Sequence, residues 1–175
     1  EFGEPVSLAS KLTAVMGALA VISLIWLAIK PDMTRLLAVS VASAAIYVVA
    51  FGVAIPGVHK LWPSYNAARI AETFTGCETL DVATAGYREP SNVFNFSTDI
   101  LLGRDGAETA AFLLAHPQCG LAIVDQSEQD GFEAGLGDAS VRQLAELEGY
   151  NAVKGRELTL RFYTLENSAL QVPAQ

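Results

Sequence analysis

The segment Gly86-Tyr87-Arg88-Glu89-Pro90-Ser91 carries the densest chemistry in this 175-residue chain. A phenol, a guanidinium, a carboxylate and a hydroxyl follow one another there, framed by a glycine and a proline that shape a turn. Arg88 could pair with a phosphate or carboxylate, Tyr87 could stack on a sugar, and Glu89 completes the set of contact candidates. The same residues read equally well as a structural turn with Arg88 and Glu89 as simple surface charges.

The other reactive residue types are scattered. Ser64, Ser91, Ser97 and Ser127 lack the surroundings of a nucleophile elbow. No phosphate loop or dinucleotide fingerprint is present, and Gly135-Leu136-Gly137 is an isolated turn. Glu128, Asp130 and Glu133 read as a solvated helix face rather than a catalytic pair. His59 and His116 are the only histidines and have no Cys, His or carboxylate at ligand spacing, so neither a metal nor a cofactor is expected in this chain. A self-contained hydrolase is disfavoured on the same residues. Cys77 and Cys119 each precede an expected strand by a few residues. If those strands are parallel neighbours, a disulfide is within geometric reach, and an extracytoplasmic compartment permits it. The alternative is two buried, reduced thiols acting as small hydrophobes.

The elements expected to position these residues alternate strand and helix. A helix from Tyr65 to Phe74 precedes a strand over Leu80–Ala85, whose C-terminal end feeds the Gly86–Ser91 loop. In open sheets that edge is where ligands sit. Val93–Phe96 is a helical turn or a strand edge, and Thr98–Leu102 a second strand. Ala107–Ala115 is a helix with Pro117 just beyond it, Leu121–Asp125 a buried strand, and Glu128–Leu136 a helix ended by glycine. Val141–Glu148 and Glu157–Tyr163 form a hairpin around residues 149–156, and the chain after Glu166 is expected to fray. The pattern predicts a small α/β domain over residues 61–167, with a mixed sheet, a parallel centre and an antiparallel C-terminal hairpin, then a disordered tail, 168–175.

Ahead of this domain, residues 1–60 hold two charge-free apolar runs, Leu12–Ile29 and Leu36–Ile55. Each approaches the roughly 20 residues a helix needs to cross a bilayer, so a transmembrane hairpin is expected, with helices at about 11–29 and 34–55. A cleaved signal is the weaker alternative, since acidic Glu1 and Glu4 precede the first run and a second run follows at once. Lys30 and Arg35 in the short linker favour its cytoplasmic placement, and Pro31 stops the first helix. Both ends then lie outside, with Trp26, Trp62 and Tyr65 as interface anchors. Small residues such as Gly17, Ala38, Ala42, Ser43 and Ala45 suit close packing against each other or against further helices. The net charge of −8 belongs to the soluble part, since only Glu1, Glu4 and Asp32 precede Lys60 among the acids. Such acidity argues against nucleic acid as a partner and against the domain lying flat on anionic lipid.

The order of Gly86-Tyr87-Arg88-Glu89-Pro90-Ser91, Thr98-Asp99, Gly149-Tyr150-Asn151 and Lys154-Gly155-Arg156, after a membrane hairpin, resembles the C-terminal end of bacterial membrane glycosyltransferases of family 39. That family includes protein mannosyltransferase-like enzymes and aminoarabinose transferases. Asn151-Ala152-Val153-Lys154-Gly155 and Asn92-Val93-Phe94-Asn95-Phe96 depart from its usual pattern. The resemblance implies a multi-pass inner-membrane enzyme with this domain in the periplasm. It would transfer a sugar from a polyprenyl-phosphate carrier to a lipid or protein acceptor. It also implies that the catalytic and metal-associated residues lie in loops between earlier membrane helices, so this chain alone is expected to be inert. Its partners would be the bilayer, the remaining helices and the polyprenyl-phosphate-sugar donor. The rival expectation is a non-enzymatic, membrane-anchored periplasmic binding or interaction module.

Overall fold

A computed structural model describes residues 8–29 and 32–172 and divides the chain into two compact units at Val58/His59. Glu1, Glu4, Lys30, Pro31 and residues 173–175 of the expectations above lie outside the described residues.

The first unit is helical. α1 (Leu8–Ile29) and α2 (Met33–Val49) are followed by a π-helical turn, Ala50–Ala54. Asp32 caps α2 by accepting the Arg35 backbone N–H at 2.9 Å, which satisfies one of the orphan donors of a helix start. Arg35 also reaches back to α1, donating to the Trp26 carbonyl at 2.9 Å with its guanidinium 4.2 Å from the Trp26 ring centre. Among the described residues one helix, Met33–Val53, is long and apolar enough to cross a membrane, and Ala14–Ile29 is a shorter apolar helix. α2 buries none of its residues, although Leu36, Val41 and Val48 are apolar and exposed. A helix apolar all round wants apolar surroundings.

The second unit is a small α/β domain, as its alternating pattern predicts. A 3-10 turn, His59–Leu61, leads into α3 (Pro63–Ala71), with Pro63 at the helix start, where its missing N–H costs nothing. Then come β1 (Asp81–Ala85), α4 (Ser91–Asn95), β2 (Leu101–Leu102), α5 (Gly106–Ala115), β3 (Gly120–Asp125), α6 (Gln129–Leu136), β4 (Val141–Asn151) and β5 (Arg156–Leu165). The five strands form one mixed sheet in the order β2-β1-β3-β5-β4. β2, β1 and β3 are parallel, while β5 and β4 complete the sheet antiparallel.

All six residues of β3 are buried, which explains the unbroken apolar run Leu121–Val124 at the sheet centre. One face packs Ala67 and Ala71 of α3 over Leu121, Ile123, Leu160 and Phe162. The other packs Ala110 and Leu113 of α5 and Phe132 and Leu136 of α6 over Ala122 and Val124.

Several boundaries differ from expectation: the helix expected over Tyr65–Phe74 spans Pro63–Ala71, and the strand expected over Thr98–Leu102 is Leu101–Leu102 alone. The hairpin strands run to Asn151 and from Arg156, because continued pairing (Tyr150 with Glu157, Asn151 with Arg156) leaves only residues 152–155 as the turn. The tail expected to fray from 168 does not do so over 168–172. Leu170 is wholly buried, and the backbones of Thr75 and Gln171 exchange hydrogen bonds at 2.9 and 2.8 Å. A buried leucine with paired backbone holds the segment in place.

Candidate functional site

The sheet has two ends, and the expected site residues collect at one of them. β1 and β3 run parallel, so the segments leaving Ala85 and Asp125 emerge at the same edge. β5 runs against β3, so its first residue, Arg156, starts at that edge, and β4 ends there at Asn151. The chain also enters the domain here: a Cβ built on Gly149 of β4 would lie 3.1 Å from Pro63 and 3.6 Å from the Lys60 carbonyl.

Gly86 starts the loop with φ +79°, and a Cβ there would meet the Asp125 Cβ at 2.6 Å. Both facts require glycine. Tyr87 then turns inward. It is 5% exposed, and its hydroxyl lies 3.0 Å from Ser64 Oγ, which lies 2.6 Å from Ser91 Oγ. Asn92 Nδ2 donates to the Tyr87 carbonyl at 2.9 Å. Burial, above all, raises the Tyr87 pKa; the Ser64 hydroxyl opposes this, and the Glu89 charge adds to it. The ring expected to stack on a sugar is thus part of the wall, pinned to α3 and α4. Arg88 is exposed and makes no hydrogen bond or ion pair among the described residues; its charge helps hold the Glu108 carboxyl low, behind the larger effect of the hydrogen bonds from Arg104. Glu89 is half-buried.

A second cluster at this edge escaped the sequence. Asp125 is buried and accepts from Arg156 Nη2 at 2.6 Å and from the Ser127 hydroxyl, while Arg156 Nη2 also lies 3.3 Å from Ser127 Oγ. Lys154 Nζ is 3.4 Å from the Gly86 carbonyl, which brings the hairpin turn to the loop after β1. The available signal was an aspartate closing an otherwise apolar strand; its partner, 31 residues later, carried none. The start of α5 lies at the same edge and is already provided with carboxylates. Asp105 caps the Glu108 N–H at 2.8 Å, and Glu128 accepts from the Gly106 N–H at 3.1 Å. Glu128 is therefore an internal cap rather than part of a solvated acidic face, whereas Glu133 accepts from Gln129 on the exposed side.

A groove of about 210 Å³ opens at this edge, lined by Trp62, Ser64, Tyr87, Glu89, Tyr150 and Val153 among others. The Ser64 hydroxyl bonds to both Ser91 and Tyr87, with no histidine in that set. Among the described residues no group of three or more His, Cys, Asp or Glu is placed to hold a metal. His116 bonds the Phe112 carbonyl through Nδ1 at 2.8 Å and stacks on that ring. Cys77 and Cys119 lie at the opposite edge and are joined in a disulfide, Cα to Cα 5.9 Å, as the parallel neighbours β1 and β3 allow. Thr98-Asp99 precedes β2 and stays away from the loop after β1. Comparison of the chain with family models, curated proteins and solved structures gives no match.

Proposed function

We propose that this chain is the C-terminal part of a membrane glycosyltransferase that uses a polyprenyl-phosphate-linked sugar, with its α/β domain on the periplasmic face. One observation carries the reading: three of the four motif segments behind the family resemblance, 86–91, 149–151 and 154–156, converge on one sheet edge although they span some seventy residues of sequence. Arg88, uncommitted and exposed there, is the group offered to a phosphate or carboxylate of donor or acceptor. The exposed apolar surface of α2 supports membrane insertion, and α1 with α2 is read as a hairpin whose turn at Asp32 and Arg35 faces the cytoplasm. The Cys77–Cys119 disulfide suits an oxidising compartment. In this reading the reacting groups of the parent enzyme, and any divalent metal it uses, lie on membrane loops outside this chain.

The test is sugar transfer by the complete reading frame in proteoliposomes with a polyprenyl-phosphate donor. Arg88→Ala is expected to lower transfer about tenfold or more, as loss of a charge-assisted contact does, with the thermal midpoint unchanged. The 175-residue chain alone is expected to transfer nothing. Wild-type transfer by Arg88→Ala would remove the loop from the function. A second reading, a membrane-anchored binding module, is favoured by the rigid, hydrogen-bonded edge built from Tyr87, Ser64, Ser91 and Asn92. A complete reading frame without further membrane segments and without transferase activity would select it.

A further inference from the structure

We propose that the sheet edge bearing the groove is a lipid-docking surface, with Leu61, Trp62 and Val153 dipping into the headgroup boundary of the bilayer that α2 crosses. The inference rests on the membrane reading above and deepens it.

Three observations converge. First, large apolar side chains are exposed on this edge. Val153, at the tip of the β4–β5 turn, is 80% exposed, Trp62 is 44% exposed and Leu61 37%. Phe94, on the helix that follows the Gly86–Pro90 loop, is 89% exposed. A tryptophan and branched aliphatics projecting from turns are suited to the amphipathic zone of a membrane, which accepts apolar bodies and polar tips. Second, the edge offers exposed cations. Residues 59–175 hold eight Lys and Arg, and five of them, Lys60, Arg88, Arg104, Lys154 and Arg156, belong to this edge beside Glu89, Asp105, Glu108, Asp125 and Glu128. Lys60, Arg104 and Arg156 are engaged by Glu148, Glu108 and Asp125, while exposed Arg88 and Lys154 have no carboxylate partner among the described residues and are offered to lipid phosphates. Third, the tether is short. His59 follows the apolar span Met33–Val53 by six residues, a length of chain that reaches no more than about 22 Å when fully extended. The entry point of the domain, and Leu61 and Trp62 with it, cannot leave the neighbourhood of the bilayer.

The experiment uses the full chain in vesicles of phosphatidylcholine and phosphatidylglycerol. Val153→Cys adds the sole free thiol, since Cys77 and Cys119 are bonded to each other, and is labelled with an environment-sensitive fluorophore. Asp138→Cys, exposed between α6 and β4 at the opposite edge, is the control. Trp26→Phe leaves Trp62 as the single tryptophan. Docking is supported by a blue-shifted Val153 label that brominated lipid quenches several-fold more strongly than the Asp138 label, with Trp62 quenched in parallel. Solvent-like emission from both labels in a chain that resists alkaline extraction overturns the docking surface alone. A blue-shifted Val153 label untouched by brominated lipid overturns it in favour of protein cover. Extraction of the whole chain by alkali overturns the membrane reading itself.

Discussion

Tyr87 shows how one side chain can sit in the right place with a different task. Its position in the loop after β1 is legible, since a glycine, an aromatic and a proline in that order mark a turn. Its inward direction is not, because that depends on Ser64, which lies 23 residues earlier on another element. Tyr87→Phe keeps the packing and removes the hydroxyl, leaving Ser64 its bond to Ser91. The expected loss is about 1 kcal/mol, read as a lower urea midpoint with unchanged slope. The alkaline limb gives a separate readout. The folded protein raises the Tyr87 pKa, chiefly by burial, so the neutral phenol is favoured in the native state. That contribution is complete below the ordinary value of 10.0 and is lost as pH climbs through the raised folded value. Tyr87→Phe should therefore flatten the fall of stability above pH 10; identical alkaline limbs in both proteins would show that the phenol does not carry it. The Asp125–Arg156 pair was illegible for a similar reason, since its members meet only once β5 has been laid beside β3.

Among the elements, those with local signals were legible and those needing distant partners were not. α5 announces itself through its apolar run and the proline beyond it, and β3 through four apolar residues closed by Asp125. β2, by contrast, shrinks to two residues at the sheet margin, pairing with β1 only through Leu101 and Leu102. The mixed sheet followed from alternation, but the insertion of β5 between β3 and β4 is a tertiary outcome with no sequence mark. The disulfide belongs to this scale because it ties the entrances of β1 and β3. It closes a 42-residue separation, for which loop entropy gives a stabilisation of about 4 kcal/mol. The double variant Cys77→Ser/Cys119→Ser should lose about 2–4 kcal/mol in urea unfolding. Two titratable thiols in the native, unreduced protein would remove the basis of that expectation.

For the whole molecule, the division at Val58/His59 separates two kinds of folding problem. Residues 59–175 contain a five-stranded sheet with apolar cover on both faces, their own disulfide and most of the chain's charge. Expressed alone with the disulfide intact, this segment should unfold in one cooperative transition, with near-ultraviolet dichroism lost together with secondary structure. A featureless near-ultraviolet spectrum at neutral pH would show that the core needs the rest of the protein. α1 and α2 pose the opposite problem, since apolar side chains such as Val15, Ile22, Leu37 and Val48 lie exposed within the described residues.

The buried Leu170 has a consequence during biosynthesis. Its side chain closes the same core as Phe74 and Phe162, yet it is made about a hundred codons after Thr75, whose backbone the adjacent Gln171 pairs with. At about 5–20 residues per second, that interval lasts roughly 5–20 s. Until Leu170 arrives, the strands that emerge from Asp81 onward surround an interior lacking its last apolar cover, a surface of the kind a holding chaperone binds.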